Sequence, residues 1–233
     1  MSEFHDPKPV TPLQWIAYSI GMPLVMAVLV FWPAGTLHWI LGWLFLAVFV
    51  TASVAACLVL WRVNPIIFAA RSRVQEGTKR WDRILLAFFL PLFMTIMPVA
   101  GLDSGRFHWM PAPGWAVMLG YLLLLAGIAL FSWAQAVNRF FEPGVRIQSE
   151  RGHRVIDTGP YAYVRHPGYV GAIAMLFGMA LALGSLVALI PAVATAALLM
   201  LRTAWEDETL RGELPGYAEF AARTRYRLLP GIW

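Results

Sequence analysis

Apolar residues fall along this chain in long uninterrupted runs, not in alternation, and short polar or basic stretches separate the runs. A helix needs about 20 predominantly apolar residues to cross a bilayer. Four segments fit that pattern, at about 13–31, 37–61, 84–100 and 115–137. The second is long enough to tilt or to protrude. A basic connection, WRVNPIIFAARSRVQEGTKRWDR, joins the second to the third, and a nearly neutral one, GLDSGRFHWMPAPG, joins the third to the fourth. The fifth apolar stretch, about 168–201, is too long for one straight span and barely enough for two. Gly184-Ser185 supplies a turn near its middle and Pro191 discourages one unbroken helix, so the pattern predicts a hairpin of two short or tilted helices. The backbone polar groups of its turn must then be buried in protein or lie near the interface.

Composition agrees with a membrane chain. Of 233 residues, 59% are hydrophobic and 13% charged, against about 25% charged in a soluble domain. The polar leader MSEFHDPKPVTP carries one Lys and no cleavage-type ending, which predicts an uncleaved first span and no signal peptide. Of the 18 Lys and Arg residues, every one but Arg106 falls on a single side of the predicted spans. The positive-inside rule puts that side, with both termini, in the cytoplasm, as expected of a multi-pass protein of a bacterial inner membrane. The pI near 9.7 reflects these flanking charges and does not point to nucleic acid. Cys57 is alone and mid-span, which leaves no disulfide framework and no thiolate metal cluster. No internal repeat or low-complexity tract interrupts the chain. The expected organisation is one integrated domain, with an N-terminal four-span membrane region over 1–137 and a catalytic region over 138–233.

Chemistry concentrates in the longest polar stretch, residues 138–169, NRFFEPGVRIQSERGHRVIDTGPYAYVRHPGY. His166 precedes Pro167, a step that commonly opens a helix with Pro at its first position. Such a helix start favours an anionic group, and the nearby Tyr161, Tyr163 and Tyr169 faces suit a cation. Together they fit a ligand bearing both a carboxylate and a positive centre. Taken singly, these residues also suit interfacial anchors or lipid-headgroup contacts. Beyond the hairpin, Arg202 and Glu206 lie at i,i+4 spacing on one helical face, either as a surface ion pair or as a charged pair at the mouth of a cavity. No phosphate-cradling glycine loop, metal-ligand spacing or serine nucleophile elbow is present, and no metal is expected.

GPYAYVRHPGYVG, followed after the hairpin by R-x-x-x-E-D-x-x-L and then PGYAEF and RYRLLP, resembles the isoprenylcysteine carboxyl methyltransferase family, in its bacterial branch. The related phospholipid N-methyltransferases share this C-terminal layout. The resemblance covers about residues 138–230, with the NPIIFAARSRVQEGTKRWDR loop also similar. It implies an all-α integral membrane protein of four spans plus a C-terminal helical hairpin and a cytoplasmic cofactor-binding region. The implied cofactor is S-adenosylmethionine, a zwitterion with a sulfonium centre. Carried onto this chain, the family's cofactor site comprises Gln148 (or Arg146), His153, Arg154, Val155, Ile156, Tyr161, His166, Pro167, Gly168 and Tyr169. Arg202 and Glu206 match its substrate-side pair, Arg202 to orient an anionic acceptor group and Glu206 to hold Arg202 or polarise the acceptor. Asp207 replaces the second Glu of the usual acidic pair.

The expected activity is methyl transfer to a lipophilic acceptor reaching the site through the membrane, first of all a carboxylate. A phospholipid amine or a small thiol is the alternative within the same chemistry. A non-enzymatic carrier or lipid-binding protein is the alternative of another class, and would call for polar residues at bilayer depth, of which the first four spans hold almost none.

Overall fold

The computed structural model describes residues 11–233 and, within the first helix, the side chains from Ile20 onward. The leader up to residue 10, with its expected uncleaved character, lies outside the described residues. The first two helices, α1 (Pro12–Ala34) and α2 (Ile40–Val63), are followed by a short α3 (Ile66–Arg71). Then come α4 (Arg80–Met94), α5 (Ile96–Ala100) and a π-helix over Gly101–Phe107, which together form one apolar rod. The rod is followed by α6 (Gly114–Val137), α7 (Pro167–Ala182), α8 (Leu189–Glu213) and α9 (Tyr217–Arg223). Among the described residues there is no strand beyond one isolated bridge between Pro111 and Ser185. Four of these elements, α2, Arg80–Phe107, α6 and α8, are long and apolar enough to cross a membrane, while Ile20–Ala34 and α7 are shorter apolar helices. The chain is an all-helical integral membrane protein.

Two expectations need correction. The third span does not stop near residue 100, because the first half of the predicted loop continues it as the π-helix. Asp103, buried with Gly101 and Ser104, explains how so polar a segment stays helical. Its carboxylate accepts from the Met110 backbone N–H at 2.7 Å and from the Ser185 hydroxyl at 2.6 Å, so no charged oxygen is left without a donor. The hairpin also differs from two short arms, because α8 runs 25 residues, well past position 201. Pro191 lies in its first turn, where a missing N–H leaves no helical bond unmade, so it does not break the helix.

The expected turn does fall at Gly184, in a left-handed conformation (φ +76°). Its exposed backbone groups are taken up by the segment before α6: the Ala112 N–H donates to the Gly184 carbonyl at 2.8 Å, and the Leu186 N–H donates to the Met110 carbonyl at 3.0 Å. That satisfies the requirement that irregular backbone at membrane depth be covered by protein.

The closest seam lies between α6 and α7. A Cβ added at Gly127 would stand 2.7 Å from the Gly171 carbonyl oxygen, so only hydrogen at that position lets the two backbones meet. This contact fixes the start of α7, and with it the His166–Tyr169 region, against the end of α6.

Exposed tryptophans mark two levels along the bundle. Trp43 and Trp61 on α2, like Trp115 and Trp133 on α6, are eighteen residues apart and all exposed. At 1.5 Å per residue that is about 27 Å, close to the thickness of a hydrocarbon core. The pattern is that of two interfacial aromatic belts.

Candidate functional site

A cavity of about 1190 Å³ opens between the polar connector and the helices α3, α4, α7 and α8. Its polar end is lined by Arg71, His153, Arg154, Tyr169, Arg202 and Glu206. Its apolar end continues between α4 and α7, past Phe89 and Met175 to Phe93 and Met179, with Met22 of α1 and Phe49 of α2 also on its wall. Arg83 and Phe93 are ten residues apart on α4, and Tyr169 and Met179 are equally spaced on α7. The cavity therefore runs about 15 Å along the helices, roughly half the depth of a hydrocarbon core.

The structure gathers all but one of the predicted site residues on this wall: Gln148, His153, Arg154, Val155, Ile156, Tyr161, His166, Gly168, Tyr169, Arg202 and Glu206. Arg146, the alternative to Gln148, also borders the cavity. Pro167 does not; it is the first residue of α7 and sets that helix's direction. Gln148 is buried with both amide atoms engaged. Its Nε2 donates to the Phe140 carbonyl at 2.7 Å and its Oε1 accepts from Arg151 at 2.5 Å, so its role is to brace the connector. His153 packs its ring on Phe140 (centroids 4.7 Å apart) and its Nδ1 accepts from the Gln148 N–H at 3.3 Å. Burial, reinforced by the charges of Arg146 and Arg151, pushes this imidazole down to about 4 from its usual 6.5. A neutral ring therefore faces the cavity at physiological pH. Tyr161 is buried, accepts from the Asn138 amide at 3.0 Å and stays protonated because burial raises its pKa.

His166 caps α7 and stacks on Tyr169, with centroids 5.7 Å apart. Its ring Nε2 lies 3.4 Å from both Asp207 and the Tyr217 hydroxyl. Gly168 lies against the Phe141 ring, where an added Cβ would come within 2.6 Å. The Tyr169 hydroxyl donates a very short hydrogen bond to Glu206, and the Arg202 guanidinium lies 5.4 Å over the Tyr169 ring.

Arg202 and Glu206 share one face of α8, as the spacing predicts, but Glu206 does not hold Arg202. That role falls to Asp82 at the start of α4. Arg202 Nε donates to one oxygen of Asp82 at 2.6 Å and Nη2 to the other at 3.1 Å, and Nη2 also bonds the Pro143 carbonyl. Asp82 is fully buried and accepts as well from the Val145 backbone N–H at 2.7 Å. One carboxylate thus ties α4, α8 and the connector together, across the 120 residues of sequence that separate it from Arg202.

A second such centre is Asp207, also fully buried. It accepts from Arg165 in a two-pronged contact at 2.6 and 2.9 Å, from Tyr217 at 2.9 Å, from Arg227 at 3.0 Å and from Arg211 at 3.2 Å. Arg165 further donates to the Thr224 and Arg225 carbonyls. The RHP segment is therefore clamped to the C-terminal tail, and backbone bonds from Arg165 to Tyr226 and from His166 to Arg227 complete the clamp. In the sequence Asp207 stands out only as a substitution. The signal for it is an acidic run, Glu206-Asp207-Glu208, beside a tail rich in Arg, since any acid of that run that is buried must find cations.

Residues 116–212 match the sequence model of the isoprenylcysteine carboxyl methyltransferase (ICMT) family. Over that stretch the chain is similar to the ICMT family. That stretch includes α6, the connector, the RHP segment, the hairpin and both Arg202 and Glu206, which is the frame that encloses the polar end of the cavity. No curated protein matches the chain significantly. The match covers less than half of the chain, and the family's description names a methyltransferase.

Proposed function

We propose that this protein transfers a methyl group from S-adenosylmethionine to the carboxylate of a lipophilic acceptor that reaches the cavity from the bilayer. The observation that carries this reading is the continuity of the cavity. It has a polar end among Arg, Tyr and Glu side chains at the belt of Trp61 and Trp133, and an apolar end at about mid-membrane depth. A lipophilic acid matches both ends, its tail along Phe89, Phe93 and Met179 and its charged group near Tyr169.

The residues present fit the cofactor by the chemistry of their side chains. Arg154 is exposed at the rim and can take a carboxylate, and Tyr169 offers a face to a cation. His153, held neutral, adds no repulsion to a positive sulfur. When bound, S-adenosylmethionine supplies a methyl carbon on positively charged sulfur, which an acceptor oxygen takes as the carbon–sulfur bond breaks. The protein's share is alignment and exclusion of water. A carboxylate needs no base at neutral pH, whereas an ammonium or thiol must first lose a proton. Glu206 is fixed by the Tyr169 hydroxyl at the polar end. Arg202, fixed by Asp82, holds Tyr169 in place beneath it.

Calorimetric titration of the detergent-solubilised protein with S-adenosylmethionine tests the cofactor, and sub-millimolar binding is expected. Transfer of labelled methyl to a prenylcysteine acid, an aminophospholipid and a small thiol then tests the acceptor. The acid should be methylated preferentially. Preference for the amine or the thiol would replace the carboxylate reading, and absence of cofactor binding would remove the enzyme reading altogether.

A further inference from the structure

The cavity's arginines are not equivalent. Arg146, Arg165 and Arg202 are each paired with a carboxylate at 2.6–2.7 Å. Arg73, Arg83 and Arg154 are exposed to water. Among the described residues on this wall, Arg71 alone is both sheltered and without a carboxylate in ion-pairing distance. It projects from the end of α3 with its guanidinium 5.4 Å from the Phe131 ring centroid and 5.1 Å from that of Phe141. These rings meet edge to face at 5.4 Å, and Phe141 in turn rests on Gly168, next to Tyr169. The charge is therefore seated on an aromatic platform that belongs to the site.

Electrostatics points the same way. Burial brings the Arg71 guanidinium down to about 10, and the like charge of Arg202 contributes further. A sheltered cation beside another cation is an unfavourable arrangement that an anion placed at the cavity's polar end would relieve. Arg202 has its own carboxylate, and Arg71 does not.

Resting on the carboxylate reading of the function, we propose that Arg71 is the receptor for the acceptor's carboxylate and the residue that distinguishes acid from ester. Phe131 and Phe141 hold the guanidinium in place at little conformational cost. The acid is drawn to the polar end by a charge-assisted hydrogen bond. Methylation removes the negative charge, so the ester loses that attachment and leaves through the apolar end. Arg71 thus sets acceptor specificity and favours product release, without taking part in bond making.

The test is direct binding of a prenylcysteine acid and of its methyl ester to the full chain, with a parallel titration of S-adenosylmethionine. Wild type should bind the acid more tightly than the ester. Arg71→Met should lower acid affinity about tenfold or more, the scale of one charge-assisted hydrogen bond, with ester and cofactor affinities unchanged. Arg71→Lys should retain much of the preference, and Phe141→Leu, which keeps the charge but removes part of its platform, should weaken it. The unchanged ester and cofactor affinities also serve as the check on folding. An acid-to-ester ratio unmoved in Arg71→Met, in an enzyme that does methylate the acid, would overturn the role of Arg71 and leave the function standing. A parallel loss of cofactor affinity would assign the guanidinium to the cofactor's carboxylate instead. An enzyme that methylates only an amine would overturn both.

Discussion

At the scale of single residues, two buried aspartates organise the site. Asp82 neutralises Arg202 and caps Val145, with its side chain fully excluded from solvent. Removing its charge leaves a sheltered guanidinium without a counter-ion, a change that costs about 3–5 kcal/mol in comparable buried pairs. Asp82→Asn should therefore lower the unfolding midpoint in detergent substantially. The double variant Asp82→Leu/Arg202→Met should recover most of that loss while remaining inactive. If the double variant were no more stable than Asp82→Asn, the ion pair would not be the source of the effect. His153 gives a pH prediction. Its imidazole has a folded value near 4 against the usual 6.5, so the unfolded chain binds the proton first as pH falls. Its neutral form contributes stability above about pH 6.5, and this is lost as pH falls from 6.5 toward 4. Wild type should lose more stability over that window than His153→Gln, by unfolding midpoints at matched pH.

At the scale of elements, glycine positions divide into those that permit contact and those that do not matter for it. A methyl at Gly127 would meet the Gly171 carbonyl at 2.7 Å, whereas one at Gly212 of α8 meets nothing within 4 Å. Gly127→Ala should push α6 from α7 and destabilise by about 1–3 kcal/mol, the usual cost of overpacking. Gly212→Ala should be neutral or stabilise α8 by up to about 1 kcal/mol through helix propensity. Thermal unfolding of the two variants side by side checks the pair, and equal effects would contradict the seam.

The elements also show what could be read from sequence. Apolar run length located the helices, and i,i+4 spacing placed Arg202 and Glu206 on one face, because both are local properties. Asp82 pairing with Arg202 was not legible, since the nearer Glu206 offered the same charge and the fold brings the distant carboxylate closer. The π-helix was hidden because Gly, Asp and Ser read as a loop until Ser185 is seen to bond Asp103. In the sequence Arg71 is one of many charges orienting the chain, and its aromatic platform depends on α6 and the connector folding back over α3. That the connector borders the cavity agrees with its sequence, because a polar stretch between apolar runs is confined to the membrane surface.

At the scale of the whole molecule, the two tryptophan levels and the distribution of charge specify an orientation. The level of Trp61, Trp133 and Trp205 is that of the connector, the tail and the polar end of the cavity, whereas the level of Trp43 and Trp115 adjoins Arg106 and Trp109. With Lys and Arg so unequally divided, the connector side should face the cytoplasm, where S-adenosylmethionine is available. The acceptor would then need to dwell in the cytoplasmic leaflet, since the cavity ends at about mid-membrane. Thiol labelling in intact bacterial cells tests this. Cys57 is exposed and must first be replaced by Ser. In that background Trp109→Cys should react with a membrane-impermeant maleimide added outside, and Glu219→Cys, at an exposed position of α9, should react only after permeabilisation. The reverse pattern would put the cavity's polar end on the far side from its cofactor and exclude the proposed reaction in cells, whatever the purified protein binds.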